Sequence, residues 1–264
     1  MTGEKRNILN RILHSWPKGT VATLKWFRDH GGYQQLIDHY QKAPWVTKIG
    51  SGAYIQYGDS VDWRGGLYAV QKHLGLPVHV GGKTALELSG FSHNIQMGET
   101  AVIYLFASGK TRLPSWFGKH PWGDELHFKR LNLFQSQPDS GLMDFNMGSY
   151  AIKGSAPERA MLEMCALVPD CHSFEAAGHF MESLLSLRTG HLQDLLETCT
   201  SIKAKRLFLY FADLYNMPWF DKLKIKNINL GTGKRRVADK GVLNKKYLIT
   251  VPDEENNLGL NDIH

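Results

Sequence analysis

The sequence predicts an α+β protein, in which an N-terminal winged helix-turn-helix precedes a mixed α/β domain that includes a helical segment. Apolar residues recur at helical spacing over the first 42 residues, two short β-rich runs follow, and strand-like and helical segments alternate afterwards. With 264 residues, 42% of them hydrophobic, the chain is long enough for two domains with buried cores. We predict a winged helix over residues 1–58, a second domain over 59–252 and an acidic tail over 253–264.

Three predicted helices open the chain, and proline or glycine ends each of them. The second is short and begins at Thr20 or Thr23, since either side chain can cap its first turn. The third spans residues 33–42. Its predicted inward-facing residues are Leu36, Ile37 and Tyr40.

Two β-rich runs, residues 45–49 and 53–57, follow the third helix and are joined by a Gly-Ser-Gly segment. Such runs around a glycine-rich turn predict a β-hairpin. A hairpin directly after the third helix is typical of a winged helix, whose third helix enters the major groove while the wing reaches the DNA backbone or minor groove.

A DNA-binding surface is therefore predicted on the outward face of the third helix and on the lysines and arginines around it. Glutamine can pair with adenine, whereas Lys18, Arg28 and Lys48 are predicted backbone contacts that position the protein without reading sequence. The predicted DNA-contacting residues are Lys18, Thr20, Arg28, Tyr33, Gln34, Gln35, Asp38, His39, Lys42, Lys48 and Ser51. The plainer interpretation is a small helical subdomain without a DNA role.

Positive charge is concentrated in two parts of the chain. Residues 1–58 hold eight lysines and arginines against three acids and residues 201–246 hold twelve against three, whereas residues 59–200 hold eleven against fifteen. Clustered bases favour nucleic acid, because each neutralised phosphate releases counterions. The predicted second basic patch consists of Lys203, Lys205, Arg206, Lys234, Arg235 and Arg236. It can add DNA backbone contacts, form an RNA- or tRNA-binding surface, dock an acidic partner, or be a solvated face.

The second domain is predicted from segments that change between strand and helix patterns. The predicted elements are a helix over 61–74, strands over 78–80, 100–107 and 126–134, four helices between 155 and 214, and strands over 223–230 and 247–251. Capping boxes are predicted at Thr84 with Glu87 and at Ser155 with Glu158.

No catalytic site, metal site or cofactor is predicted. The stretch VHVGGKT is similar to half of a phosphate-binding loop, but Pro77 stands where the loop needs its first glycine. His172, Glu175, His179 and Glu182 can share a helical face but lack the tight spacing of a metal site. We expect a protein that is not an enzyme. The alternative is a nucleic-acid-targeted enzyme whose winged helix only localises it.

We expect the protein to be cytoplasmic, without a membrane partner. The longest apolar run, about residues 101–107, is far shorter than the roughly 20 residues that span a bilayer. The N-terminus lacks the apolar region and cleavage site of a signal peptide. Three single cysteines fit reduced thiols and support neither a disulfide framework nor a zinc site.

Several long stretches carry a resemblance to a known family. In the first half they are WPKGTVATLKWF, GGYQQLIDHYQ and VDWRGGLYAVQKHLGLPVHVGGKTALELSGFSH, and in the second SAPERAMLEM, HLQDLLETCTSIKAKRLFLYFAD and LGTGKRR. Over roughly residues 5–252 the chain resembles the AbiEi antitoxins, transcriptional regulators of type IV, abortive-infection toxin–antitoxin systems. The resemblance implies that the C-terminal domain is an antitoxin domain and that the winged helix represses the operon's own promoter at inverted repeats in double-stranded DNA. It also implies a nucleotidyltransferase-like toxin as functional partner, without a need for direct contact.

Overall fold

The computed structural model describes residues 3–91, 100–238 and 241–253. Its contacts divide the chain into two compact units. The first comprises Met1–Val80, Gln96–Leu131 and Asp144–Gly154, and the second Gly81–Ile95, Asn132–Met143 and Ser155–His264. The predicted domain limits stay a prediction, and residues 254–264 of the predicted acidic tail lie outside the described residues.

The first unit begins with a winged helix-turn-helix, as predicted. Its elements are α1 (Gly3–Ser15), β1 (Ala22–Thr23), α2 (Leu24–Asp29), α3 (Gln34–Lys42), β2 (Val46–Gly50) and β3 (Ala53–Gln56). The strands form an antiparallel sheet in the order β1-β3-β2. The sequence pattern does not predict β1, because two residues are too few for a periodicity.

Local signals set the limits of these elements. Of the two candidate caps for α2, Thr23 is the cap, since its hydroxyl accepts a hydrogen bond from the Trp26 amide at 3.2 Å. Gly31, in the turn before α3, has a φ of +83°, a conformation that favours glycine. The predicted hairpin is confirmed, with a register shift between Lys48 and Gly50.

Aromatic rings fill the core of the winged helix. The Phe27 ring meets Trp16 edge to face, with centroids 5.4 Å apart, and meets Tyr54 in the same way at 5.5 Å. The predicted inward-facing residues of α3, Leu36, Ile37 and Tyr40, are buried in this core. Their burial turns the opposite face of α3 to solvent.

A five-stranded mixed sheet with two helices follows. These elements are α4 (Trp63–Lys72), β4 (Val78–Val80), β5 (Val102–Ala107), α6 (Ser115–Lys119), β6 (Glu125–Arg130), β7 (Leu142–Asn146) and β8 (Ala151–Ser155). The strand order is β6-β5-β4-β8-β7, in which β5 pairs with β6 and β4 with β8 in parallel, and β4 with β5 antiparallel. Strands β7 and β8 escape prediction because their short runs mix polar and apolar residues without regular alternation.

The second unit is mainly helical. Its elements are α5 (Gly82–Leu88), α7 (Pro157–Ala166), α8 (Phe174–Ser183), α9 (Thr189–Thr198), α10 (Ile202–Leu214), β9 (Arg235–Arg236), β10 (Val242–Asn244) and β11 (Ile249–Val251). The strands form a small sheet in the order β10-β11-β9, with β9 parallel to β11. Helix α10 packs against α7 and is buried over most of its surface.

The predicted strand over residues 223–230 is wrong. Two 3₁₀ turns, Phe220–Lys222 and Ile225–Asn227, occupy this region. Gln193 explains why: its side chain accepts a hydrogen bond from the Lys224 amide at 2.9 Å and donates to the Lys224 carbonyl at 3.3 Å. A side chain from α9 thus takes the place of a neighbouring strand.

Both predicted capping boxes are also wrong. Helix α5 begins after Gly81, which leaves Thr84 buried within the helix. Helix α7 begins with Pro157, whose fixed φ suits the first helical position, so Ser155 lies one residue too early to cap it. The Ser155 hydroxyl donates instead to Glu163 at 2.8 Å.

Across the described ranges, none of the helices combines the length and apolar character needed to cross a membrane.

His73 lies buried where α4 meets the winged helix. Its ring stacks on Trp26, with centroids 5.6 Å apart, and neither ring nitrogen has a hydrogen-bond partner among the described residues. Burial is the main cause that lowers the pKa of His73 to about 4. The neighbouring His30 and Lys25 act in the same direction, and Asp29 acts against them. His73 is therefore neutral in the folded protein at neutral pH.

We expect His73 to make the fold sensitive to mild acid. The pKa of an unfolded histidine is about 6.5. Below that pH the unfolded chain therefore binds a proton, whereas the folded chain binds it only as the pH falls to about 4. Between pH 7.5 and 5 the wild type should lose about 2 kcal/mol more free energy of unfolding than His73→Phe. Denaturant titrations at both pH values measure this difference. His14→Gln, at an exposed position on α1, is the control, and equal pH dependence of wild type and His73→Phe would contradict the expectation.

Candidate nucleic-acid interface

The outward face of α3 is polar and exposed, as its helical spacing predicts. The predicted residues of this face are Tyr33, Gln34, Gln35, Asp38, His39 and Lys42, all of them exposed. Tyr33 precedes the helix as its N-cap, and Lys42 ends it. Amide, carboxylate and imidazole groups on one helix face offer the donors and acceptors that base edges in the major groove can pair with.

A hydrogen bond within α3 constrains part of this face. The Gln34 side-chain amide donates to the Asp38 carboxylate at 2.8 Å, across one helical turn. The Gln34 amide group is therefore held along the helix. Gln35 has no such partner among the described residues, so it is the side chain of α3 best placed to project an unengaged amide.

Backbone contacts hold the wing on two sides. The Leu24 amide of α2 donates to the Gly52 carbonyl at 2.8 Å. On the other side a Cβ added to Gly50 would lie 2.5 Å from the Trp116 Cβ and 3.2 Å from its Cα, which leaves no room for a side chain. The exposed Lys48 and Ser51 are thus carried by a hairpin with a defined position relative to α2 and α6.

The predicted backbone anchors Lys18 and Arg28 are exposed. Lys18 lies in the turn before β1, where its carbonyl accepts a hydrogen bond from the Ser149 hydroxyl at 3.0 Å. The following residue, Gly19, donates its amide to Asp59 at 2.8 Å. Lys18 therefore projects from a turn whose backbone is held in position by these two hydrogen bonds.

The prediction that Thr20 contacts DNA is wrong. Thr20 is fully buried, and its hydroxyl donates to the Pro17 carbonyl at 2.6 Å. The Thr20 carbonyl in turn accepts from the Trp16 indole at 3.1 Å. Both groups serve the turn inside the winged helix, so neither can reach a phosphate.

Three exposed basic residues on α6 and in the segment before it are not predicted from the sequence. Lys110, Arg112 and Lys119 lie before or within α6, the helix whose Trp116 touches the wing at Gly50. Residues 108–123 contain these three bases and no acid, a local charge run that could have identified them. Lys119 thus adds positive charge on the helix that contacts the wing.

The second basic patch is partly interior, and its prediction as one exposed surface is wrong. Lys205 and Arg206 of α10 are each 2% exposed, and burial is the main cause that lowers the pKa of both. Lys203 is half-buried and donates to the Val168 carbonyl at 2.5 Å. A lysine-rich helix start resembles a solvated face in sequence, but α10 lies inside its unit.

The turn and strand at residues 234–236 keep their surface character. Lys234 and Arg236 are exposed, and Arg235 is half-exposed with its guanidinium donating to the Lys234 carbonyl at 3.0 Å. The structure thus separates this trio from the bases of α10 that the sequence grouped with it.

A buried carboxylate occupies the N-terminus of α5, where the GGKT stretch lies. Glu163 accepts a hydrogen bond from the Gly82 amide at 3.1 Å, and Lys83 faces Glu87 at 3.6 Å. The amide that a phosphate-binding loop would offer is engaged by an anion, and a phosphate there would meet like charge. The stretch is a strand-to-helix turn.

The structure separates one of the four histidine and acidic residues predicted around α8 from the other three. Glu175, His179 and Glu182 are exposed on α8, whereas His172 is buried before it. Within the described ranges no three potential metal ligands of the His, Cys, Asp or Glu type come together.

The three-helix core, the exposed polar face of α3 and the wing define a winged-helix regulator with an additional α/β part. Two family models match the chain: an AbiEi antitoxin N-terminal domain over residues 5–97, and a transcriptional regulator, AbiEi antitoxin, type IV TA system, over residues 100–252. The chain belongs to the AbiEi family of transcriptional regulators, the antitoxins of type IV toxin–antitoxin systems.

The fold also has a similar solved structure. The crystal structure of the RV2827C protein from Mycobacterium tuberculosis aligns with a TM-score of 0.61 at 12% sequence identity, over 98% of this chain and 95% of that chain. At this identity the similarity concerns the fold alone. Among proteins with curated functions none matches the chain significantly.

We expect Gly50→Ala to displace the wing. The added methyl group must push against Trp116 at the base of its side chain, and overpacking of this kind costs about 1–3 kcal/mol. Chemical denaturation measures the loss. Gly118→Ala on α6 is the matched control, because a Cβ there meets nothing within 4 Å. Equal stability of the two variants would show that the wing adjusts freely and would contradict the close contact.

Proposed function

We propose that this antitoxin represses its own operon by binding an inverted repeat in the promoter through α3 and the wing. The observation that carries the proposal is the exposed polar face of α3, next to a hairpin that carries Lys48 and Ser51. In a winged helix this face enters the major groove, and Gln35 is the side chain best suited to pair with an adenine.

The surrounding charge supports the same orientation. Lys18, Arg28 and Lys48 are exposed around the winged helix, and Lys119 extends the positive charge onto α6. Each cation that neutralises a phosphate steepens the salt dependence of binding by about 0.9 in a double-logarithmic plot. We infer that these basic side chains hold the protein on the DNA backbone while α3 contacts the edges of the nucleobases.

We further propose that the protein counters a nucleotidyltransferase-like toxin encoded in the same operon. Residues 100–252, matched by the antitoxin family model, support this proposal. Growth of cells that express the downstream gene with and without this protein tests it. A pull-down of the two proteins then separates direct from indirect neutralisation, and continued growth arrest in the presence of the protein would refute the role.

We expect Gln35→Ala to relax sequence preference. Loss of a bidentate base contact costs about 1–3 kcal/mol of discrimination, so the affinity difference between the operator and an operator mutated at one position should shrink. Gel shifts with the chain's own upstream region and matched single-base variants measure it. Asp38→Ala is the comparison, because it frees the Gln34 amide from its present acceptor. Unchanged discrimination by Gln35→Ala would place the reading face elsewhere on the helix.

We expect Lys48→Ala and Arg28→Ala to weaken binding to all DNA sequences alike. Each change should lower the slope of log affinity against log salt by about 0.9, because one phosphate contact is lost. Binding to operator and random duplexes at two salt concentrations measures both effects. Lys83→Ala is the control, since this lysine already faces Glu87. If the variants lost affinity for operator DNA but not for random DNA, Lys48 and Arg28 would contact nucleobases rather than phosphates.

A further inference from the structure

One buried arginine organises an exposed basic turn in the second unit. All three nitrogens of the Arg206 guanidinium group, on α10, donate to backbone carbonyls. Three of these carbonyls belong to residues 230–233 and one belongs to Leu248. Nε donates to Leu230 at 2.8 Å, Nη2 to Gly231 at 2.9 Å, and Nη1 to Gly233 at 2.6 Å and Leu248 at 3.2 Å, all at carbonyl oxygens. We call residues 230–236 the clasped turn.

The clasp determines where the amides of the turn point. In a trans peptide the carbonyl and the following N–H point in opposite directions. Because three carbonyls of the turn face Arg206, the amides of Gly231, Thr232 and Lys234 face away from it. The Gly231 amide donates to the Asn229 side chain at 2.9 Å. The amides of Thr232 and Lys234 have no acceptor in the part of the chain that the structure describes.

Two left-handed glycines shape the clasped turn. Gly231 has a φ of +60° and Gly233 a φ of +74°, on either side of the exposed Thr232. Backbone amides that point outward from turns of this kind can line a concavity that binds anions. A side chain is disfavoured at both positions, so the outward amides depend on glycine.

Positive side chains surround these amides. Lys234 and Arg236 are exposed, and residues 222–238 contain six lysines and arginines and no acid. Strand β9 runs parallel to β11, so the clasped turn and the turn before β11 lie at the same end of the sheet. Lys245 is exposed in that second turn, whereas Lys246 is paired with Asp213 at 2.6 Å.

We propose that the clasped turn binds a phosphate group. The Thr232 and Lys234 amides donate hydrogen bonds to the phosphate oxygens, and the side chains of Lys234 and Arg236 neutralise the charge of the phosphate. Arg206 is the positioning residue that holds the turn in this conformation. The ligand is either a phosphodiester of a nucleic-acid backbone or a free phosphate or pyrophosphate. The site lies in the second unit and does not depend on the winged helix, so it stands apart from the proposed operator binding.

The test titrates the full-length protein with two probes, a random-sequence DNA duplex and inorganic pyrophosphate, by calorimetry at two salt concentrations. Lys234→Gln removes a charge and Gly233→Ala strains the backbone at a φ of +74° without changing charge. Lys83→Gln is the control for lost charge, because its ammonium already faces Glu87. We expect both turn variants to weaken binding of the probe that uses the site roughly three- to tenfold, and Lys234→Gln to lower the salt slope for DNA by about 0.9.

The two probes separate the two sources of phosphate. Weakened DNA binding with unchanged pyrophosphate binding assigns the turn to nucleic-acid backbones, and the converse assigns it to a free phosphate. Unchanged binding of both probes by Lys234→Gln and Gly233→Ala overturns the proposal. Arg206→Met tests the positioning role, and if it prevents folding the other two variants still decide. Operator discrimination measured with Gln35→Ala is independent, so failure of one proposal is distinguishable from failure of the other.

Discussion

The winged helix contacts helices α4 and α6 of its own unit at glycines, where the two parts lie too close together for a side chain to fit between them. A Cβ on Gly65 of α4 would overlap the Gly19 carbonyl, and the Val21 amide donates to the Gly65 carbonyl at 3.3 Å. At the wing, Gly50 touches Trp116 in the same manner. Because packed interiors resist deformation, these contacts give the turn before β1 and the wing defined positions. A surface that needs no rearrangement before binding loses less conformational freedom when it binds DNA.

Buried charges play a corresponding part in the second unit. Glu163 accepts hydrogen bonds from the Gly82 amide, the Ser155 hydroxyl and Arg159, and Arg159 donates in addition to the carbonyls of residues 138 and 140. A buried charge is tolerated when its hydrogen bonds are made. Arg206 follows the same rule with four carbonyls. These ions link segments that are distant in the chain, and they also shape two features that sequence alone misrepresents: the closed N-terminus of α5 and the open basic turn before β9.

Local signals predict the winged helix well because its elements are encoded within short windows. The inward residues of α3 and the glycine-rich hairpin follow from spacing and turn chemistry, and both are found in the structure. The errors share a different cause. Thr20 and Lys205 are a polar and a charged residue that the fold buries, and residues 223–230 imitate a strand but are bound by Gln193 of α9. The partner of residues 223–230 lies 31 residues away along the chain, whereas the packing around Thr20 and Lys205 buries these two side chains.

The sequence by itself determines the order of the three N-terminal helices and the hairpin, the polar face of α3 and the resemblance to the AbiEi antitoxins, since each depends on residue types at fixed spacing. Only the tertiary structure decides which lysines and arginines are exposed on the surface. Net charge counts Arg206 and Lys234 alike, yet the first is buried against carbonyls and the second is exposed on the turn that the first holds. The physical reason is that desolvation and hydrogen-bond satisfaction depend on neighbours in space, which spacing along the chain does not specify.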